Sequence, residues 1–283
     1  MPSTKQSKSD LIYHYTDANG LFGILGGNDE RKPGKEIEFH ATNILFLNDA
    51  SEYKFFGEIV TKYIENNPKK FNQILNKNDK QNLKKLTRLY NNPHQQDIYV
   101  TCFSERKDNL SQWRGYCEKG GYNLGLNRVQ LEQETKKIQD CHLGDIEYTN
   151  PRKPTPKLTS LIDNKYEEYL NTKNTHSCTD FCYELYWGLS IHDEVFFKSR
   201  AFSSEKEVRL SVFQDKPINF KITNQGIFKP YSSIILSKKC LKEIWLSPNT
   251  DNTLNKLGLE MFLQSKGFDH VEIKESEIPY RTV

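Results

Sequence analysis

In "LIYHYT" (residues 11–16), β-favouring side chains alternate between two faces, and "DANGLFGILGG" reads as a turn into a short helix that stops at Gly26. "EIEFHATNILFLND" reads as two short strands with a kink. Phe55, Phe56, Ile59, Val60, Tyr63 and Ile64 then recur at helical spacing until Pro68 interrupts. A second helix is expected over roughly 71–90, with Ile74, Leu75, Leu83, Leu86 and Leu89 on or near one stripe. These two helices form a basic helical insertion at about 52–92. "DIYVTCFS" (97–104) has the pattern of a buried strand, "DNLSQWRGY" that of a helical turn, and "GGYNLGL" that of a glycine-containing strand.

Further on, a helix is expected over 128–140, an edge strand at "DIEYT", helices over 158–170 and 178–198, and a strand over 205–213. The tail, "EIWLSP" then "TDNTLNKLGLEMFLQSKG" then "HVEIKES", predicts a strand, a helix capped by Gly267 and a second strand, a parallel βαβ unit. No internal repeat is visible. Mixed strands with segregated helices predict a single α+β domain over 10–283, with residues 1–9 a disordered tail.

Composition changes this picture little. The 283 residues are 36% hydrophobic and 27% charged, polar for a globular chain, but the aromatic residues suffice to fill a core. The net charge of +3 is a local excess, because many lysines lie between Lys62 and Arg88. Together with the loop "NPRKPTPK" (150–157), this permits an anionic partner such as nucleic acid. No apolar run approaches the roughly 18 residues of a membrane span, and the first residues lack an apolar signal core. A cytoplasmic protein without membrane attachment is expected, with its six cysteines reduced.

Three constellations could carry chemistry. His14 shares a strand face with Ile12 and Thr16, where it either bonds to backbone or serves a site. In "CFSERKDNLSQWRGYCEKGGYNLGL", Ser104 ends a strand, and Trp113, Arg114 and Tyr116 lie on one turn. Glycines 120, 121 and 125 follow, where the backbone bends or is closely approached. Such a set suits either a flat phosphorylated ligand or a core tryptophan beside a hairpin. In "FSSEKEVRLSV", Val208, Leu210 and Val212 point inward, which puts Glu205, Glu207, Arg209 and Ser211 on the other face. That face is either solvated or the edge of a site. If its surroundings are apolar, the carboxylates need charge partners or a raised pKa.

Several chemistries lack their motifs: no dinucleotide or P-loop glycine pattern, no H-E-x-x-H and no G-x-S-x-G occurs. Cys178 and Cys182, with His176 and His192 nearby, lack a second ligand pair at zinc spacing, so a buried helix face is the simpler reading. In "FLNDASEY", Asn48, Asp49 and Glu52 read as the cap of the helix that follows.

The ordered motifs "YHYTDANGLFGIL", "FLNDASEY", "CFSERKDNLSQWRGY…GGYNLGL", "KSRAFSSEKEVRL" and "IPYR" resemble the DUF2971 family across nearly the whole chain. More distantly, the order His14, Ser104, Glu207, with Glu205-Lys206-Glu207 as a Glu-x-Glu, is similar to the ADP-ribosyltransferase fold. It mixes the His-led and Ser/Glu-x-Glu-led patterns of that superfamily. This resemblance implies a mixed, mainly antiparallel split sheet and NAD as substrate. The implied enzyme is a transferase or glycohydrolase, such as a bacterial toxin or phage-defence effector modifying a protein or nucleic acid. Glu207 would stabilise the ribosyl cation and Glu205 would orient or deprotonate the acceptor. His14 would orient a ribose or the nicotinamide amide, beside Ser104. Tyr15 or Tyr116 would stack on the nicotinamide ring, with Trp113 on the same wall, and Arg114 would hold the pyrophosphate. Two alternatives stand beside this: a nucleic-acid-binding or nucleic-acid-processing module, and a catalytically silent, partner-binding protein of the same fold.

Overall fold

A computed structural model describes residues 10–27, 36–47, 52–74, 97–117, 120–172, 177–190, 194–214, 219–223, 226–248 and 252–279. The expected tail at 1–9, Asn48 and Asp49, most of the second insertion helix, His176 and His192, and the end of "IPYR" lie outside them. In chain order the elements are β1 (Leu11–Thr16), α1 (Ala18–Ile24), β2 (Glu36–Asn43), α2 (Glu52–Asn66), β3 (Ile98–Ser104), α3 (Leu110–Tyr116), β4 (Tyr122–Asn127) and α4 (Arg128–Thr135). There follow β5 (Cys141–Asp145), β6 (Glu147–Thr149), α5 (Pro156–Thr172), α6 (Cys178–Ser190), β7 (Phe197–Ser199) and β8 (Glu207–Phe213). The chain continues through β9 (Asn219–Ile222), β10 (Phe228–Ser237), β11 (Leu241–Leu246), α7 (Asn252–Ser265) and β12 (Glu272–Glu275).

Local side chains set several boundaries. The Asp17 carboxylate accepts from Gly20 N at 2.7 Å and starts α1 where β1 stops. The kink expected after "EIEFHATN" is a 3-10 turn, because the Asn43 side chain accepts from Leu45 N and ends β2. The strand expected from 205 begins at Glu207: residues 200–205 form 3-10 turns, and Lys206 takes a left-handed φ of 48°. The helix expected over 178–198 stops at Ser190, and Phe197–Ser199 pairs in parallel with Glu147–Thr149 instead.

The α+β architecture is built on a large, mainly antiparallel sheet, in which β11 and β12 are the parallel pair joined through α7, as the βαβ pattern requires. β3 is its hub. One edge of β3 pairs with β8 along its whole length, from Ile98 opposite Phe213 to Ser104 opposite Glu207. Its other edge is divided: β1 joins at Ser104 through Tyr13, while β2 joins at Tyr99 and Val100 through Asn43 and Thr42. β1 continues along β4, and β2 continues along β10 and β9. The sheet therefore forks at Cys102, between the positions where β1 and β2 attach.

The two sheet faces differ. Ile12, Phe39, Phe103, Val208, Leu210 and Leu124 bury one face against α1, α4 and α7. On the other, Tyr13, Tyr15, Trp113, Cys117 and Trp245 pack under α3. A separate core joins α2 to α5 and α6. The first insertion helix thus belongs to a helical layer and does not stand apart, because its Phe56, Ile59, Val60 and Ile64 have a partner surface later in the chain. Among the described residues, no helix is long and apolar enough to cross a membrane.

Two glycines, one in β4 and one just before it, serve close approach. At Gly125 a Cβ would meet Glu243 Cγ at 2.6 Å. At Gly121 it would meet the Thr16 carbonyl oxygen at 2.6 Å and Cys117 Sγ at 2.7 Å. Gly121→Ala is therefore expected to cost ~1–3 kcal/mol, since backbone must move to admit the methyl group. Gly115→Ala, where nothing lies within 4 Å in a helix, is expected to gain ~0.5–1 kcal/mol. Urea unfolding of both variants checks this; equal stabilities would refute the packing at Gly121.

Candidate functional site

Register decides which side chains meet. Tyr13 stands opposite Ser104, and Ser104 opposite Glu207, so these three share the face that α3 covers. Cys102 and Arg209, the next pair on that face, also stand opposite each other. The strand pattern had suggested that Glu207, Arg209 and Ser211 form an outer face. In the fold both faces of β8 are covered: Glu207 is 6% exposed and Arg209 1%.

A carboxylate in that position needs partners, and it has them. Glu207 Oε1 accepts from Arg209 Nε at 2.6 Å, and Oε2 accepts from Lys198 Nζ at 2.9 Å. Lys198 also reaches Glu205 Oε2 at 2.8 Å, so its ammonium joins the two glutamates. Burial alone would raise the Glu207 carboxyl, but the Arg209 and Lys198 charges override it and hold its pKa down at about 2. Tyr148 on β6 receives the Glu207 N–H on its hydroxyl at 2.8 Å, and burial, the main cause, pushes its phenol up to about 12. Tyr116 completes the cluster. It is 45% exposed, yet its phenol is raised, first by burial and then by the nearby Cys102, Glu207 and Glu205.

The remaining expected residues divide. His14 lies on the opposite face from Glu207, because it alternates with Tyr13. Its ring packs on Phe39 at 5.1 Å and Phe103 at 5.7 Å, both members of the main core. Its Nδ1 lies 2.9 Å from the Cys102 carbonyl oxygen, an acceptor, so Nδ1 carries the proton. Burial lowers its pKa to about 4, leaving it neutral near pH 7. The expectation that His14 works beside Ser104 on a ribose or the nicotinamide amide is corrected accordingly: Ser104 and Glu207 share one face, and His14 plugs the fork from behind. Ser104 is itself committed, its hydroxyl donating to the Glu205 carbonyl at 2.5 Å and accepting from Arg106 N at 3.1 Å.

Tyr15 and Trp113 are core residues, not stacking surfaces. Their rings meet edge to face at 4.8 Å, the Tyr15 hydroxyl donates to the Arg106 carbonyl, and Trp113 Nε1 donates to Asp108 at 2.6 Å. Arg114 is exposed on α3, whereas Tyr116 alone of the expected aromatics borders the carboxylates. Sequence reasoning left Lys198 and Tyr148 out of the site. Tyr148 sits on β6, within the edge strand expected at "DIEYT", but nothing tied that strand to the carboxylates; Lys198 sits on β7, inside a span expected to be helical.

The second prong of the fork adds cations. Lys221 and Lys229 pair across β9 and β10 on the same face as Tyr231 and His40. His40 stacks on Tyr231 at 4.0 Å, and the Lys221 ammonium lies 5.9 Å from the Tyr231 ring centre. Lys221 interacts electrostatically with His14 and with Asp17 on the first prong, and Lys229 with Cys102 at the root. Among the described residues no group of three or more His, Cys, Asp or Glu side chains could hold a metal ion. Cys178 and Cys182 lie 4.0 Å apart inside the helical core.

The family model described as a protein of unknown function, DUF2971, matches residues 112–210, from α3 through Lys198 and Glu205 to Glu207 and Arg209, and bears out the resemblance over that span; "YHYTDANGLFGIL", "FLNDASEY" and "IPYR" lie outside the match. No curated protein and no solved structure matches the chain.

The Glu207 pairs predict an acid limb of stability. Because folding lowers this carboxyl from 4.5 to about 2, its contribution is complete above about 4.5 and is lost as pH falls towards 2. Urea unfolding of the wild type should weaken across that window, while Glu207→Gln, which cannot titrate, should lose less. The two curves should converge at low pH; parallel curves would show that Glu207 is not held ionised by its neighbours.

Proposed function

We propose that the protein is an ADP-ribosyltransferase-like enzyme that consumes NAD at the fork of its sheet. The observation that carries this reading is the Glu207 carboxylate. It is buried, kept ionised by two cations, and set beside the half-open Tyr116 at the root of a split sheet. The strand order supports it. β3 and β8, which bear the middle serine and the late glutamate, are immediate neighbours with both residues on one face, while the early histidine of the adjoining β1 faces the other way.

In this reading the bond between nicotinamide and ribose breaks with its electron pair leaving on nicotinamide, which departs neutral. The ribose carbon takes on positive charge, and the fixed negative charge of Glu207 stabilises it. Lys198 can remain bound to Glu205 while Oε2 of Glu207 turns to a ribose hydroxyl. Tyr116 supplies a ring for stacking at the open side. Glu205, on the turn before β8, would accept a proton from the attacking group of a protein or nucleic-acid acceptor. His14 has a positioning role: it braces the Cys102 carbonyl at the fork and does not touch the reacting ribose.

A second reading is favoured by a specific observation: both oxygens of Glu207 already receive charged donors, and Ser104 is bonded to backbone. A chain of this fold could thereby hold its carboxylate as a structural ion pair and bind a partner without catalysis.

Incubation of the wild type with NAD should release nicotinamide, measured by chromatography, and NAD should raise the melting temperature by mass action. Glu207→Gln should reduce turnover about 10²–10³-fold, on the scale of losing one preorganised transition-state contact. Circular dichroism establishes that the variant is folded. Should the wild type neither release nicotinamide nor melt higher with NAD, the enzyme reading is wrong and the silent one stands.

A further inference from the structure

We propose that Lys221 and Lys229 form a phosphate clamp on the second prong of the fork, holding the phosphoryl groups of a nucleotide whose other end lies towards Tyr116 and Glu207. The two lysines stand directly opposite each other across β9 and β10, with side chains on one face. Like charges in that position destabilise a strand pair, and no ion pair relieves either lysine among the described residues. Lys221 is exposed and Lys229 half-buried; burial, the first cause, lowers both, their mutual repulsion lowers Lys229 further, and Asp17 offsets part of this for Lys221. An anion between them would relieve both effects.

The surroundings fit a phosphate ester better than a carboxylate partner from the protein itself. Asp17, across the fork, is the acidic residue that Lys221 senses, and it stands on the other prong at the end of β1. Tyr231, under Lys221 and stacked with His40, gives the clamp a flat aromatic floor. Lys229 and Tyr116 both sense Cys102 electrostatically, so the clamp and the carboxylate cluster are coupled through the fork root. A dinucleotide pyrophosphate would then lie on the lysine prong while its ribose reaches Glu207. The identity of the ligand rests on the proposed function; the anion site itself does not.

Calorimetric titration with inorganic pyrophosphate, then with ADP-ribose and NAD, tests the clamp. The wild type should bind pyrophosphate, and its affinity should fall as salt rises. The double substitution Lys221→Gln with Lys229→Gln should weaken pyrophosphate binding at least tenfold, with an unliganded melting temperature no lower than that of the wild type. Unchanged affinity in the double variant, or no pyrophosphate binding by the wild type, overturns the clamp. Lysine-dependent pyrophosphate binding without nicotinamide release from NAD would uphold the clamp and overturn the proposed function alone. Binding of pyrophosphate but not ADP-ribose would sink the assignment of a nucleotide ligand.

Discussion

The ion pairs of Glu207 hold the site and much of the structure together. Arg209, among the largest fully buried side chains, gives Nε to Glu207 and Nη1 to the Val195 carbonyl. Val195 belongs to the 3-10 turn that leads from the helical layer into β7. Lys198 on β7 binds Glu207 as well. One carboxylate on β8 therefore ties the sheet to the layer of α2, α5 and α6. Replacing one partner of such a pair leaves an uncompensated charge inside the protein, which costs roughly 3–5 kcal/mol. The same geometry that keeps Glu207 ionised keeps two layers together, so the residue bears on stability whatever else it does.

The fork follows from a second constraint. A strand has two edges, and β3 gives one of them wholly to β8. Three strands then need the two edges, and β1 and β2 divide the second one. Between them a carbonyl, that of Cys102, faces the gap, and His14 fills the space and satisfies it. The histidine is neutral because burial disfavours its charged form and the carbonyl needs only one proton.

Much of this was legible in the sequence, and what was not has physical causes. The βαβ tail, the short helix after β1 and the strand at 97–104 carry strong periodic or capping signals, and they form. The inward alternation of Val208, Leu210 and Val212 is correct too. What alternation could not reveal is that the opposite face of β8 is also covered, because the covering residues come from β7 and α3. The need for a charge partner was legible in Arg209; the second partner, Lys198, arrives from a three-residue strand too short to show a period. The mistake about His14 has a sharper source. Chemical type pointed to the histidine, while register, set by the pairing of Tyr13 with Ser104, sends it to the other face. A shift of one residue exchanges the two faces, and sequence alone does not fix it.

Access, more than electrostatics, distinguishes the site from the rest of its sheet face. Glu243 on β11 is chemically like Glu207: buried, held below its ordinary range, and bonded to Tyr13, Trp245 and Lys274. It lies beneath Trp245 and close over Gly125, and the nearby Trp113 is buried. Asp108, which holds Trp113, also accepts from Ser276 and Glu277, so the segment after β12 is fastened to the same place. The exposed group beside that carboxylate is Lys274, its own ion-pair partner. Glu207 instead adjoins a tyrosine with nearly half its surface exposed, next to a gap where two strands part. The same buried carboxylate chemistry is structural at one end of the sheet and can be functional at the other, and the difference is the fork.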